Sequence, residues 1–307
     1  MNLSQNITII ELFEIYIQKS VIHNLSKATI KTYTVHFNVF KRFLNDDNFL
    51  AHDIDKRLIE LFILDMKKRC TDITINSYLR SLRAFLYYAM EEGYIGRFKI
   101  RLLITDKKIK ETYSENELKI LLGKPDLKKV TFSEYKIWAL SNYLLGTGNR
   151  ISSALSIKIK DLEFDNLTIQ INHSKNRRAQ IIPMSPFLAT ILKEYLIHRK
   201  GSPNDYVFCN SYGEQGNIHT YQTMIYKYNR SKGIDKTSAH LYRHTFAKRW
   251  ILNGGDIFRL QKILGHSDLS VVKEYVNMFS SDLSIGFDKY NPLDTLGLDG
   301  SKCKLKL

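Results

Sequence analysis

Cysteine is nearly missing from this sequence: three residues in 307, at Cys70, Cys209 and Cys303. They are far apart and odd in number, so neither a disulfide framework nor a cysteine zinc cluster is expected. Long apolar runs are missing too. No stretch approaches the roughly 20 residues that a membrane-spanning helix needs, and no membrane partner is expected. The opening MNLSQNITIIELFEIYIQ has acidic residues inside its apolar part and no basic start, unlike a secretory signal. These absences leave a cytoplasmic protein as the expectation. A phosphate-binding glycine loop is also lacking. The GTG at 146–148 has no third glycine and no following GK[ST], so it reads as a turn. His173 and His219 have no partner at ligand spacing, and no carboxylate cluster is placed to hold a metal.

Acidic residues are scarce relative to basic ones: 31 Asp and Glu against 46 Lys and Arg, a net charge of +15. The excess is spread along the chain. Residues 1–105 carry 15 basic and 11 acidic residues, hence +4, and the remainder carries 31 and 20, hence +11. An excess of that size points to nucleic acid or an anionic membrane surface as partner. The length exceeds the usual single-domain size, and 44% hydrophobic residues suffice for two cores.

Residues 1–105 read as helices alone, with apolar residues at helical spacing over 6–20, 26–44, 55–69 and 73–92. Ser26 is placed to cap the second helix and Gly93 to end the fourth. That fourth segment interleaves Arg80 and Arg83 with Tyr78, Phe85, Tyr87 and Tyr88. Either the aromatics form core and the arginines a solvated face, or the basic face lies along a DNA backbone. The charged TDKKIKET (105–112) marks a linker, 106–113, that separates this bundle from a second domain at 114–283. Ser114 and Glu117 form a capping box that opens it. Helices follow near 133–145 and 150–157. LTIQIN (167–172) and AQIIPM (179–184) flank the basic turn HSKNRR, which predicts a β-hairpin. Helices resume near 185–199, 219–231, 240–253, 256–264 and 268–277, before a tail at 284–307.

Chemistry concentrates in AHLYRHTF (239–246) and LGHSDLSVVKEY (264–275). His240 and Arg243 are three apart and share one helix face. Gly265 stops a helix just before His266, and Tyr275 follows nine residues on. Two histidines, an arginine and a phenol at one spot suit an anionic substrate such as phosphate. Arg150, after LLGTGN, opens a helix where guanidinium and backbone donors meet an oxyanion. Lys175 stands at the hairpin tip, where a long cation can reach a neighbouring groove. His244 reads as packing on another side of its helix, and Asp161 as a turn contact supporting Arg150.

With these residues in view, the sequence resembles the tyrosine recombinase (phage integrase) family over about residues 6–290. The stretches that carry the resemblance are LLGTGNRISSALSIKIKDLEF, INHSKNRRAQIIPM, SAHLYRHTFAKRWILNGGDIFRLQKILGHSDLSVVKEYV and YLRSLRAFLYYAMEEGYI. The resemblance implies a mainly α fold with a small β-hairpin or sheet, in which a helical core-binding bundle and an α+β catalytic domain form a two-domain DNA clamp. It implies a site-specific recombinase that works without ATP or metal, through a 3′-phosphotyrosyl bond. Arg150 and Arg243 would clamp the scissile phosphate, Lys175 and His240 would move protons, His266 would bond a phosphate oxygen, and Tyr275 would attack. Arg80 and Arg83 would contact DNA. The partners implied are double-stranded DNA with inverted half-sites and further copies of the chain: a dimer per site, a tetramer in synapsis, and a tail exchanged between protomers or packed on its own. A DNA-binding relative without chemistry and a type IB topoisomerase are the alternatives. The sequence departs from the family pattern at Ser153, where many relatives have glutamate, at Val271 and Val272, and at Asn149, where an apolar residue is more usual.

Overall fold

Local capping chemistry sets most helix starts in this computed structural model, which describes residues 6–106, 111–172 and 179–265. The expectations for Lys175, His266, Tyr275, the helix at 268–277 and the tail at 284–307 lie outside the described residues. The chain divides into two compact units, residues 1–108 and 109–307.

In the first unit, Thr8 and Glu11 form a capping box at the start of α1 (Ile9–Ile22). Ser26 caps α2 (Lys27–Leu44), Asp55 caps α3 (Lys56–Lys67) and Thr71 caps α4 (Asp72–Glu91). These four helices answer the four predicted from periodicity. A short 3₁₀ turn at Ala51–Asp53 precedes α3. The core is aromatic: Phe13 stacks on Phe37, and Phe85 meets Phe13 edge-on with 5.2 Å between centroids. Phe85 is fully buried, whereas Arg80 is exposed and Arg83 lies over the half-exposed Tyr87 ring at 5.7 Å. Asn76 exchanges two hydrogen bonds with the backbone of Leu103 (2.9 and 2.8 Å), tying the end of the unit to α4.

In the second unit, Ser114 and Glu117 form the capping box of α5 (Glu115–Leu122). α6 (Phe132–Thr147) is buried on nearly every side from Tyr135 to Leu144, so it is the axis of the unit. α7 is short (Ile151–Ala154), ending before the 157 expected. A 3₁₀ turn (Ile159–Asp161) then leads into β1 (Leu162–Glu163), β2 (Thr168–Ile171) and β3 (Gln180–Pro183). The hairpin is therefore an antiparallel three-stranded sheet in the order β1-β2-β3. The added strand has two residues, too few for alternation to reveal. Ile169, Ile171 and Ile182 are buried, and β2 pairs with β3 through Ile169↔Ile182 and Ile171↔Gln180. α8 (Pro186–Arg199), α9 (Ile218–Ser231), α10 (Ala239–Leu252) and α11 (Ile257–Leu264) complete the described helices. Among the described residues, no helix is long and apolar enough to cross a membrane.

The buried aromatic cluster makes the first unit testable. Phe85→Ala is expected to cost about 3–5 kcal/mol, as large core truncations do, while the exposed Arg80→Ala is expected to stay within about 0.5 kcal/mol. Urea unfolding of both variants, followed by circular dichroism, measures the difference.

Candidate functional site

The site is built where two helices end. α6 stops at Gly148, whose φ of +64° needs no Cβ; a methyl there would lie 2.4 Å from the Phe246 ring and 2.8 Å from Leu264. α11 stops in the same manner at Gly265, with φ +63°. Helix ends leave carbonyls without intrahelical donors. Arg243, only 4% exposed, meets both ends: its Nη1 donates to the Gly148 carbonyl and its Nη2 to the Leu264 carbonyl, each at 2.9 Å. A guanidinium presents five donors in a rigid fork, and the carbonyl ends of helices carry partial negative charge, so the pairing suits a buried cation.

Arg150 follows from the same turn. The Thr147 hydroxyl donates to the Tyr143 carbonyl (2.7 Å) and accepts from the Asn149 amide (3.2 Å). Asn149, buried, donates from Nδ2 to the Tyr143 hydroxyl at 2.8 Å. The polar residue that departs from the family pattern thus has a buried partner inside the unit. The turn sets Arg150 as the residue that starts α7. Because α7 has four residues, its dipole is weak, and the guanidinium is what Arg150 chiefly contributes. Among the described residues, that half-buried guanidinium makes no hydrogen bond or ion pair.

His240 stands in the first turn of α10, where Ser238 caps the helix. Its pKa is lowered from the usual imidazole value, first by burial of the ring, then by the charges of Arg243 and Arg150. The residue as a whole stays exposed on α10. The structure therefore brings Arg150, His240 and Arg243 together. Lys175, His266 and Tyr275 lie outside the described residues. In the sequence, His266 directly follows Gly265, and Lys175 stands between the residues of β2 and those of β3.

Other sequence expectations are placed differently. Asp161 accepts from the Lys158 amide (2.8 Å) and from Asn172 Nδ2 (3.0 Å). It braces the end of β2 rather than Arg150, because the 3₁₀ turn aims its carboxylate at the sheet. His244 is half-buried on α10. No group of three or more His, Cys, Asp and Glu residues fit to hold a metal occurs among the described residues.

Sequence reasoning passed over two supports. Thr245 accepts from the Tyr113 amide (2.9 Å) and donates to the Leu241 carbonyl (2.7 Å), joining the start of the unit to the helix of His240 and Arg243. Gln180 donates from Nε2 to the carbonyls of Lys262 and Ile263, the latter at 3.0 Å. Its signal was available: in AQIIPM a glutamine takes an inward position while Ile181 is 67% exposed.

Residues 114–281 match the phage integrase family, and residues 8–108 match the phage integrase SAM-like domain. Tyrosine recombinase XerD of Lacticaseibacillus casei is 25% identical over 277 residues, covering 87% of this chain and 94% of that protein. A tyrosine recombinase of Pseudothermotoga lettingae is 28% identical, over 89% of this chain and 94% of its own length. The fold is shared with the Tn1549 transposon integrase solved in complex with transposon right end DNA, at TM-score 0.74 and 22% identity, covering 88% of this chain and 94% of that one.

Two outcomes follow from the geometry. In the DNA-free protein, His240 is expected to titrate below the ordinary imidazole value of about 6.5, and Arg150→Ala is expected to move that midpoint upward by removing one repelling charge. NMR of the imidazole carbons measures both, and a midpoint at or above the ordinary value contradicts the arrangement. Gly148→Ala is expected to lose more stability than the ~1–2 kcal/mol that a left-handed backbone alone costs, because the added methyl also meets Phe246 and Leu264; chemical denaturation checks it.

Proposed function

The chain belongs to the phage integrase family, whose tyrosine recombinases break and rejoin DNA, and from that premise we propose that it recombines double-stranded DNA at defined sites through a 3′-phosphotyrosyl intermediate on Tyr275. The observation that carries this reading is the convergence of Arg150, His240 and Arg243 at the helix ends from which the chain continues to His266 and Tyr275.

A phosphodiester is anionic and repels nucleophiles, so attack needs fixed positive charge around the phosphorus. Arg150 offers the donors: no described partner competes for its guanidinium, which can bind two non-bridging oxygens at once. Arg243 adds charge from a fixed, buried place. A phenol has an unperturbed pKa near ~10, so Tyr275 needs a base. His240, whose pKa is lowered by burial of the ring and by the charges of Arg243 and Arg150, is the base that takes that proton. The Tyr275 oxygen forms a bond to phosphorus while the bond to the 5′ oxygen breaks. Lys175 protonates the departing 5′ oxygen, and His266 bonds a non-bridging oxygen as charge develops. Rejoining reverses these steps: the 5′ hydroxyl attacks the phosphotyrosyl bond, and the phenol leaves with a proton.

Two copies would bind inverted half-sites and four would hold two sites in synapsis. The basic excess in both parts of the chain supports salt-dependent attachment to the phosphate backbone. The exposed Arg80, with Arg83, provides part of that attachment in the first unit.

The test is a nicked suicide substrate that traps the cleaved state. The parent protein is expected to become covalently attached, with the DNA adduct mapped to the tryptic peptide of Tyr275. Tyr275→Phe is expected to retain DNA binding and form no adduct, and Arg150→Ala to cleave about 10²–10³-fold more slowly, the cost of removing one preorganised donor. An adduct on another residue contradicts the assignment. Relaxation of a supercoiled plasmid of arbitrary sequence, without site preference, would mark a topoisomerase instead.

A further inference from the structure

Gln180 occupies a position that alternation reserves for an apolar side chain. On β3, Ile182 is buried and Ile181 exposed, so Gln180 shares the inner face with Ile182 and with its cross-strand partner Ile171. A polar group turned inward costs free energy unless it finds partners. Gln180 finds them 82 and 83 residues away, where its Nε2 donates to the carbonyls of Lys262 and Ile263. Both acceptors are oxygens, so the amide must present its nitrogen to them. Arg243 takes the next carbonyl, that of Leu264, and the Gly265 amide donates to the Lys262 carbonyl. The last turn of α11 is therefore held from two sides, by the sheet through Gln180 and by α10 through Arg243. Gln180 also flanks the turn directly, since a methyl on Gly265 would lie 3.0 Å from its Oε1.

We propose that Gln180 is a positioning residue for DNA cleavage: its carboxamide fixes the start of β3 against the end of α11. The inference rests on the reading that Lys175, which precedes β3 in the sequence, and His266, directly after Gly265, serve the same phosphate. The strand and the helix end are then held as one body, and Gln180 touches no reacting atom itself.

Three variants test it in single-turnover cleavage of the nicked suicide substrate, with protein concentration varied so that the saturated rate separates from the half-saturating concentration. Gln180→Ala is expected to lower the saturated rate about 10²-fold, the order that a displacement near 1 Å costs, and to leave half-saturation unchanged. Gln180→Glu has nearly the same shape but sets acceptors against carbonyls, and is expected to be at least as slow. Gln180→Arg supplies donors and a charge that a helix C-terminus favours, and is expected to recover most of the rate. Should the alanine variant unfold, the Arg and Glu variants still decide, because only donation separates them. Equal rates for those two overturn the proposal, as does an alanine variant that cleaves like the parent or fails only in half-saturation. A parent that forms no adduct overturns the reading beneath it as well. An active parent with unaffected variants overturns the role of Gln180 alone.

Discussion

One buried guanidinium joins the parts of this site. Arg243 donates to the carbonyl of Gly148, where α6 ends, and to that of Leu264, where α11 ends. Burying a charge is costly without close partners, and a helix C-terminus left without donors is costly too. Each problem answers the other here. The left-handed glycines at 148 and 265 are part of that solution, since both turn the chain sharply enough to bring the two ends to one arginine. A lysine, with a single point charge and no fork, could not serve both carbonyls in the same manner.

Behind that contact, neighbouring elements are fastened by hydrogen bonds within the unit. Tyr143 and Thr147 on α6 hold Asn149 and so fix where Arg150 begins α7. Thr245 ties α10 to the backbone at Tyr113, and Lys236 donates to the Thr112 carbonyl (3.1 Å) and pairs with Glu117 (3.0 Å). Asp161 braces the end of β2 through Asn172. Partial burial of the ring and the charges of Arg243 and Arg150, both placed by this framework, lower the pKa of His240. Positioned charge of this sort needs no rearrangement at the moment of attack.

Much of the fold was legible because its signals are local. Ser26 and Ser114 each accept a hydrogen bond from an amide in the first turn that follows, so a short window contains the whole interaction. Apolar spacing located α1 to α4 for the same reason. The candidate residues on α10 were legible through a spacing of three, which a helix turns into one face. What stayed hidden depends on distant partners. β1 has two residues and exists because β2 accepts it. Asp161 reads in sequence as a support for Arg150, yet its side-chain partner is Asn172. Arg243 reads as a phosphate ligand in sequence, and nothing local announces that two backbone carbonyls hold it. Gln180 stands in the inward set of AQIIPM with Ile182 and Met184, and its acceptors on α11 could be known only from the folded chain.

If Arg243 is the common fastening, loosening it must release both helix ends together. Amide hydrogen exchange in the DNA-free protein tests this at Gly148 and Gly265, whose amides donate to the Leu144 and Lys262 carbonyls. In Arg243→Lys, exchange is expected to accelerate at both glycines while the α4 amides of the first unit keep their parent rates. Acceleration at one glycine alone, or at neither, would contradict the account.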